Sequence, residues 1–226
     1  MGEASQCDSG HPVGVRAMDQ TRPARTFWWD RERATEADAL RAVVFDADSA
    51  LADIERGGHR LAFNAESDDC VLDGDIAPRT GLIDSVMSLF VAGIWVGVVS
   101  TRPRARVETL VRQLIGDGLV ETIVTVDDLP EIDAGPGRDA ELYRLALWEL
   151  GITHRSALAV AGSGRGVRAA VAAELPAVVV TTGYTADQQF VDAAKVRAGY
   201  DGADPLRAAG CQQAHRRWWI AQQRAA

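Results

Sequence analysis

The sequence predicts an α/β fold of three layers, with helices on both faces of a parallel β-sheet. Short apolar runs rich in β-formers alternate with stretches of helical spacing, which is the βαβ pattern of a parallel sheet. The run Ile94–Val99 is apolar almost throughout, as a strand covered on both faces must be. The length of 226 residues suits one such domain with short appendages, and 47% hydrophobic with 25% charged residues makes the chain ordinarily globular.

Residues 1–38 are polar, with scattered Gly, Pro and Arg and no sustained period, and read as a loosely ordered extension. Its one apolar feature, Trp28-Trp29, is expected to dock on the domain, with a partner surface as the alternative. The core domain is expected over 39–200. Ala42–Phe45 is the first strand and ends in Asp46. A helix starts near Thr80 and closes with Val86–Phe90 before Gly93; Ile94–Val99 is the second strand. Arg104–Ile115 has helical spacing and stops near Gly116, and Thr122–Val126 is the third strand. Ala140–Leu150 is a helix with Gly151 as its stop. Ala157–Ala161 is a strand, Arg165–Glu174 a helix and Ala177–Thr181 a final strand. Residues 201–226 are rich in Ala, Gln and Arg and read as a helical tail whose Trp218-Trp219 pair packs on the core. A protein partner held through these Trp-containing termini is the competing expectation.

Charge and composition exclude several functions. With 24 basic against 32 acidic residues the net charge is −8, which argues against nucleic-acid binding. No apolar run approaches the length of a membrane span. The first 20 residues carry no apolar stretch of the kind a secretory leader needs, and Cys7, Cys70 and Cys211 lack metal-ligand spacing. A cytoplasmic location follows as the expectation. Lys195 is the only lysine, so any chemistry that needs a lysine elsewhere is excluded.

In a parallel sheet, ligands bind beyond the carboxyl ends of the strands. That edge should collect Asp46, Ser100, Asp127, Asp128 and the turn Gly162-Ser163-Gly164. Asp46 and Asp48 stand two apart directly after a buried strand. One carboxylate can attack a phosphoryl group while the other protonates the leaving oxygen and then activates water. The stretch Gly162-Ser163-Gly164-Arg165-Gly166 reads as a tight turn, or else as a backbone nest for an anion. As a dinucleotide fingerprint it fails, because Val167 occupies the third glycine position.

The strand followed by Asp46-Ala47-Asp48-Ser49-Ala50-Leu51 resembles the first motif, DxDGT, of the haloacid dehalogenase superfamily. His59-Arg60-Leu61-Ala62-Phe63-Asn64, Val98-Val99-Ser100-Thr101, Val124–Asp128, Glu141-Leu142-Tyr143 and Ser163 through Thr185 extend the likeness in order. They point to the branch of phosphoglycolate phosphatases, β-phosphoglucomutases and CbbY-type enzymes. The resemblance implies a Rossmann-like core and phosphomonoester hydrolysis through an aspartyl-phosphate on Asp46, with Asp48 as acid/base. It implies Mg²⁺ on Asp46 and Asp48, and a phosphorylated ligand met by Ser100, Thr101, Arg138 and His59.

The departures from the family pattern matter as much. Gly137 stands where the third motif has its lysine, leaving Arg138 as the nearest substitute, although a guanidinium is not an ammonium. Ala161-Gly162 stands where the fourth motif has its metal-binding acids, which leaves Asp127 or Asp128 as replacement ligands. Only about 15 residues separate Asn64 from Thr80, so the helical cap of the branch is expected to be essentially absent. An open site suits bulky or macromolecular substrates as well as small ones. The alternative to a hydrolase is an inactive relative that binds a phosphorylated ligand or a protein. If activity was lost with the two motifs, Gly137→Lys with Gly162→Asp is expected to raise it.

Overall fold

The computed structural model describes residues 39–52, 77–130, 137–183 and 185–225, all within one compact unit, Glu36–Ala226. The expectations for Trp28-Trp29, His59, Cys7, Cys70 and the cap segment fall outside the described residues.

Six parallel strands form the sheet: β1 (Ala42–Asp46), β2 (Trp95–Ser100), β3 (Thr122–Thr125), β4 (Ala157–Ala161), β5 (Ala177–Val180) and β6 (Lys195–Arg197). Their order is β3-β2-β1-β4-β5-β6, the doubly wound arrangement whose direction of travel reverses beside β1. β1 and β4 are buried at every position because both faces are covered. Side-chain alternation splits β1 between two layers. Val43 and Phe45 enter one core with α1 (Leu82–Val91), α2 (Arg104–Leu114) and α5 (Ala208–Ala225). Val44 enters the other with α3 (Arg138–Leu150) and α4 (Gly164–Ala172).

α3 ends where the sequence places its stop: Gly151 sits at φ 63, a left-handed conformation that glycine adopts without a Cβ penalty. Ala177–Thr181 is not the last strand, since Lys195–Arg197 pairs beyond it at the edge. Residues 208–225, read as a helical tail that packs on the core, form α5. Leu206, Cys211 and Ala214 belong to the first core, and Trp219 is buried with its Nε1 3.1 Å from His215 Nε2. Burial pushes the Cys211 thiol up to about 12, so it is an inert core group. Among the described residues, no helix is long and apolar enough to cross a membrane.

Candidate active site

β1 delivers Asp46 to the crevice where the strand order reverses between β1 and β4, and a π-type turn, Ala47–Leu51, follows at once. Asp46 ties that turn to itself. Its Oδ1 accepts the Asp48 N–H at 3.0 Å and its Oδ2 accepts the Ser49 hydroxyl at 2.7 Å. Arg79 holds the turn from outside by donating to the Ser49, Val180 and Thr181 carbonyls. Tyr200 adds its hydroxyl, which donates to the Ala50 carbonyl at 2.9 Å. The carboxylates are thus displayed by a braced turn rather than a free loop.

Asp46, Asp48, Ser100 and Thr101 line one cleft of about 350 Å³. The cleft therefore joins these four with Ser163, Arg165 and Gly166 of the Gly-rich turn, all singled out in the sequence. Asp48 is held by four donors. Its Oδ1 accepts from Ser100 Oγ at 2.7 Å and Arg102 Nε at 3.0 Å; its Oδ2 accepts from Thr101 N at 2.9 Å and Thr101 Oγ1 at 2.7 Å. Asp46 is only 7% exposed. Burial first, then the charge of Asp48 and more weakly that of Asp139, pushes its carboxyl up to about 7 against the Ser49 and Asp48 hydrogen bonds.

Three further cleft residues, Arg102, Asp139 and Tyr143, were not legible as site residues in the sequence, and Arg165 was named only as part of the Gly-rich turn. Arg165 projects from the first turn of α4 and grips Asp139 of α3 bidentately, Nε to Oδ2 at 2.5 Å and Nη2 to Oδ1 at 2.8 Å. These hydrogen bonds, and against the cost of burial the charges of Asp139, Asp48 and Asp46, raise the Arg165 guanidinium above its ordinary value. Tyr143 is 2% exposed and its hydroxyl has no hydrogen-bond partner among the described residues. Burial, and then Asp46, Asp48 and Asp139, push this phenol well above its usual range, so it is a donor.

Other expectations fall away from the cleft. Arg138 does not line it; its Nη2 meets the Val126 carbonyl at 3.5 Å. Asp127 accepts the Arg104 N–H at 2.8 Å, and Asp128 accepts Arg104 Nη2 and the Thr125 N–H, each at 2.7 Å. Burial pushes the Asp128 carboxyl up, but the Arg104 and Thr125 hydrogen bonds outweigh it and hold it below the usual range. Both acids fasten β3 to α2, and neither lines the cleft.

The glycines of the Gly-rich turn have steric reasons. A Cβ on Gly162 would lie 2.0 Å from the Ser49 carbonyl oxygen, and one on Gly166 would lie 2.4 Å from Asp46 Oδ2. Ser163 caps α4 by accepting the Gly166 N–H at 3.2 Å.

The same contacts test whether the Mg²⁺ implied by the resemblance fits. The Ser49 hydroxyl bridges Asp46 Oδ2 to the Gly162 N–H, from which it accepts at 2.8 Å. That bridge occupies the gap between the carboxylate and the end of β4, where an acid side chain cannot be built. Asp48 spends both oxygens on four protein donors. Among the described residues, no group of three or more His, Cys, Asp or Glu is placed to hold a metal ion. The residues present do not fit the cation.

No protein-family profile matches the chain. Curated relatives do: CbbY of Cereibacter sphaeroides is 32% identical over 197 residues, covering 79% of this chain and 81% of that protein. Among solved structures, CbbY from Rhodobacter sphaeroides in complex with xylulose 1,5-bisphosphate matches with a TM-score of 0.62 at 22% identity, over 76% of this chain and 99% of that one. A β-phosphoglucomutase from Clostridium difficile matches with a TM-score of 0.55 at 13% identity, over 80% and 99%. These structures share the fold of the parallel sheet and its helices. On its sequence relationship to CbbY, the chain belongs to the haloacid dehalogenase superfamily.

Proposed function

We propose that the Asp46 cleft recognises a phosphorylated small molecule and that its chemistry is slow phosphomonoester hydrolysis. The observation that carries this reading is the meeting of Asp46, Asp48 and Ser100 in one cleft at the carboxyl ends of adjacent parallel strands. The xylulose 1,5-bisphosphate held by the CbbY structure supports a phosphorylated sugar as the ligand class.

In the reaction, an Asp46 carboxylate oxygen attacks phosphorus and the bond to the leaving oxygen breaks. That oxygen departs with the electron pair and takes a proton from water, since both Asp48 oxygens accept from protein donors. Water then attacks the aspartyl-phosphate while Asp48 accepts its proton, and inorganic phosphate leaves. A carboxyl titrating at about 7 is only partly ionised at neutral pH, so attack is slow and strengthens as pH rises through that value.

A second reading, binding without turnover, is favoured by the Ser49 bridge and by the four donors that hold Asp48. Phosphate release from p-nitrophenyl phosphate decides between them. Hydrolysis predicts release that disappears in Asp46→Asn. Release that survives the substitution, or none from the parent above pH 8, leaves binding as the function.

A further inference from the structure

We propose that Tyr143 and Arg165 form an oxyanion subsite that seats the ligand's phosphoryl group without a divalent cation. This rests on the phosphate-recognition reading above and names the residues that deliver it.

The argument begins with an unmet donor. Buried hydroxyls almost always find a partner; Tyr143 lines the cleft, and its hydroxyl, itself fully buried, has none among the described residues. Its phenol is held protonated, and an acceptor that reaches it from the cleft would satisfy it. Arg165 lines the same cleft. Asp139 takes its Nε and one N–H of Nη2, which fixes the guanidinium plane, and among the described residues Nη1 is left for another oxyanion. Asp139 is therefore a positioning residue and Arg165 a binding residue.

The charge around the site is compatible with one added anion only because the carboxylates are committed. Asp139 is paired with Arg165, Asp48 with Arg102, and Asp46 accepts from Ser49 and the Asp48 N–H. The space between Asp46 and the end of β4 is taken by the Ser49 hydroxyl, so positive charge must come from the guanidinium groups on the cleft wall.

The test is calorimetric titration of the full chain with inorganic phosphate, once in EDTA and once in excess Mg²⁺. The expected dissociation constants agree within about twofold in the two solutions. Tyr143→Phe, which keeps the ring packing, is expected to weaken binding about fivefold, and Arg165→Gln about tenfold or more. Asp139→Asn is expected to weaken it less than Arg165→Gln, while Arg112→Gln on the remote face of α2 leaves it unchanged. Binding that appears only with Mg²⁺ overturns the proposal, as does parental affinity in both Tyr143→Phe and Arg165→Gln. No phosphate binding in either solution overturns the functional reading itself and this subsite with it.

Discussion

Asp46 is kept in the fold at an energetic cost, and its titration shows how large. Its ordinary value is 3.8 and the folded environment moves it to about 7, so between these values the folded chain holds a proton that the unfolded chain has released. The stability this proton contributes is present below about pH 4 and is lost as pH rises through 7. The neutral near-isostere Asp46→Asn should therefore stabilise the protein above pH 7, by up to about 4 kcal/mol at about 1.36 kcal/mol per unit, and by almost nothing at pH 4. Urea denaturation of both proteins at the two pH values checks this, and equal stabilisation at both would contradict it. Gly162 gives a second prediction at this scale. Because a Cβ there would strike the Ser49 carbonyl oxygen at 2.0 Å, Gly162→Asp with Gly137→Lys does not restore a family site, contrary to the expectation from motif alignment. It should cost about 1–3 kcal/mol through overpacking and leave phosphate release no higher than in the parent, measured by thermal unfolding beside the p-nitrophenyl phosphate assay. A folded double variant with faster release would show that the turn yields.

At the scale of elements, the turn Ala47–Leu51 is the part that makes a site out of strand ends. It is held by Arg79 and by Tyr200, whose ring lies 6.4 Å from Phe45 and whose hydroxyl reaches the Ala50 carbonyl. Tyr200→Phe leaves that buried carbonyl unmet and should lower unfolding free energy by about 1–2 kcal/mol, with weaker phosphate binding as the turn loosens. An unchanged urea midpoint would mean the tyrosine does not brace the turn. The five longer strands and five helices were legible in the sequence because each is a periodic apolar segment closed by Gly or a polar residue. β6 was not: Lys195-Val196-Arg197 has a single apolar residue, itself half exposed, and pairs on one side only. The strand-end carboxylates were legible because two acids stand directly after the first buried strand of an α/β domain, although acidic turns after strands are common. The cleft cation was not, because helix phase decides it. Arg138 and Asp139 are neighbours in sequence, yet only Asp139 turns toward the cleft, where it receives Arg165 from another helix.

For the whole molecule, the strand order brings four separate segments to one crevice: the ends of β1 and β2 and the first turns of α3 and α4. This is the general gift of a doubly wound sheet, and it explains why residues far apart in sequence share the cleft. The Asp46 and Asp48 carboxylates share the cleft, the gap beside Asp46 is closed by a serine hydroxyl, and the guanidinium-bearing residues Arg102 and Arg165 also line it. The most direct test is a crystal of the full chain soaked with both Mg²⁺ and tungstate as a phosphate mimic. The anion should lie within hydrogen-bond distance of the Tyr143 hydroxyl and the Arg165 guanidinium, with the Ser49 bridge between Asp46 and Gly162 intact. An octahedral ion at about 2.1 Å from an Asp46 oxygen, with Ser49 displaced, would contradict the account.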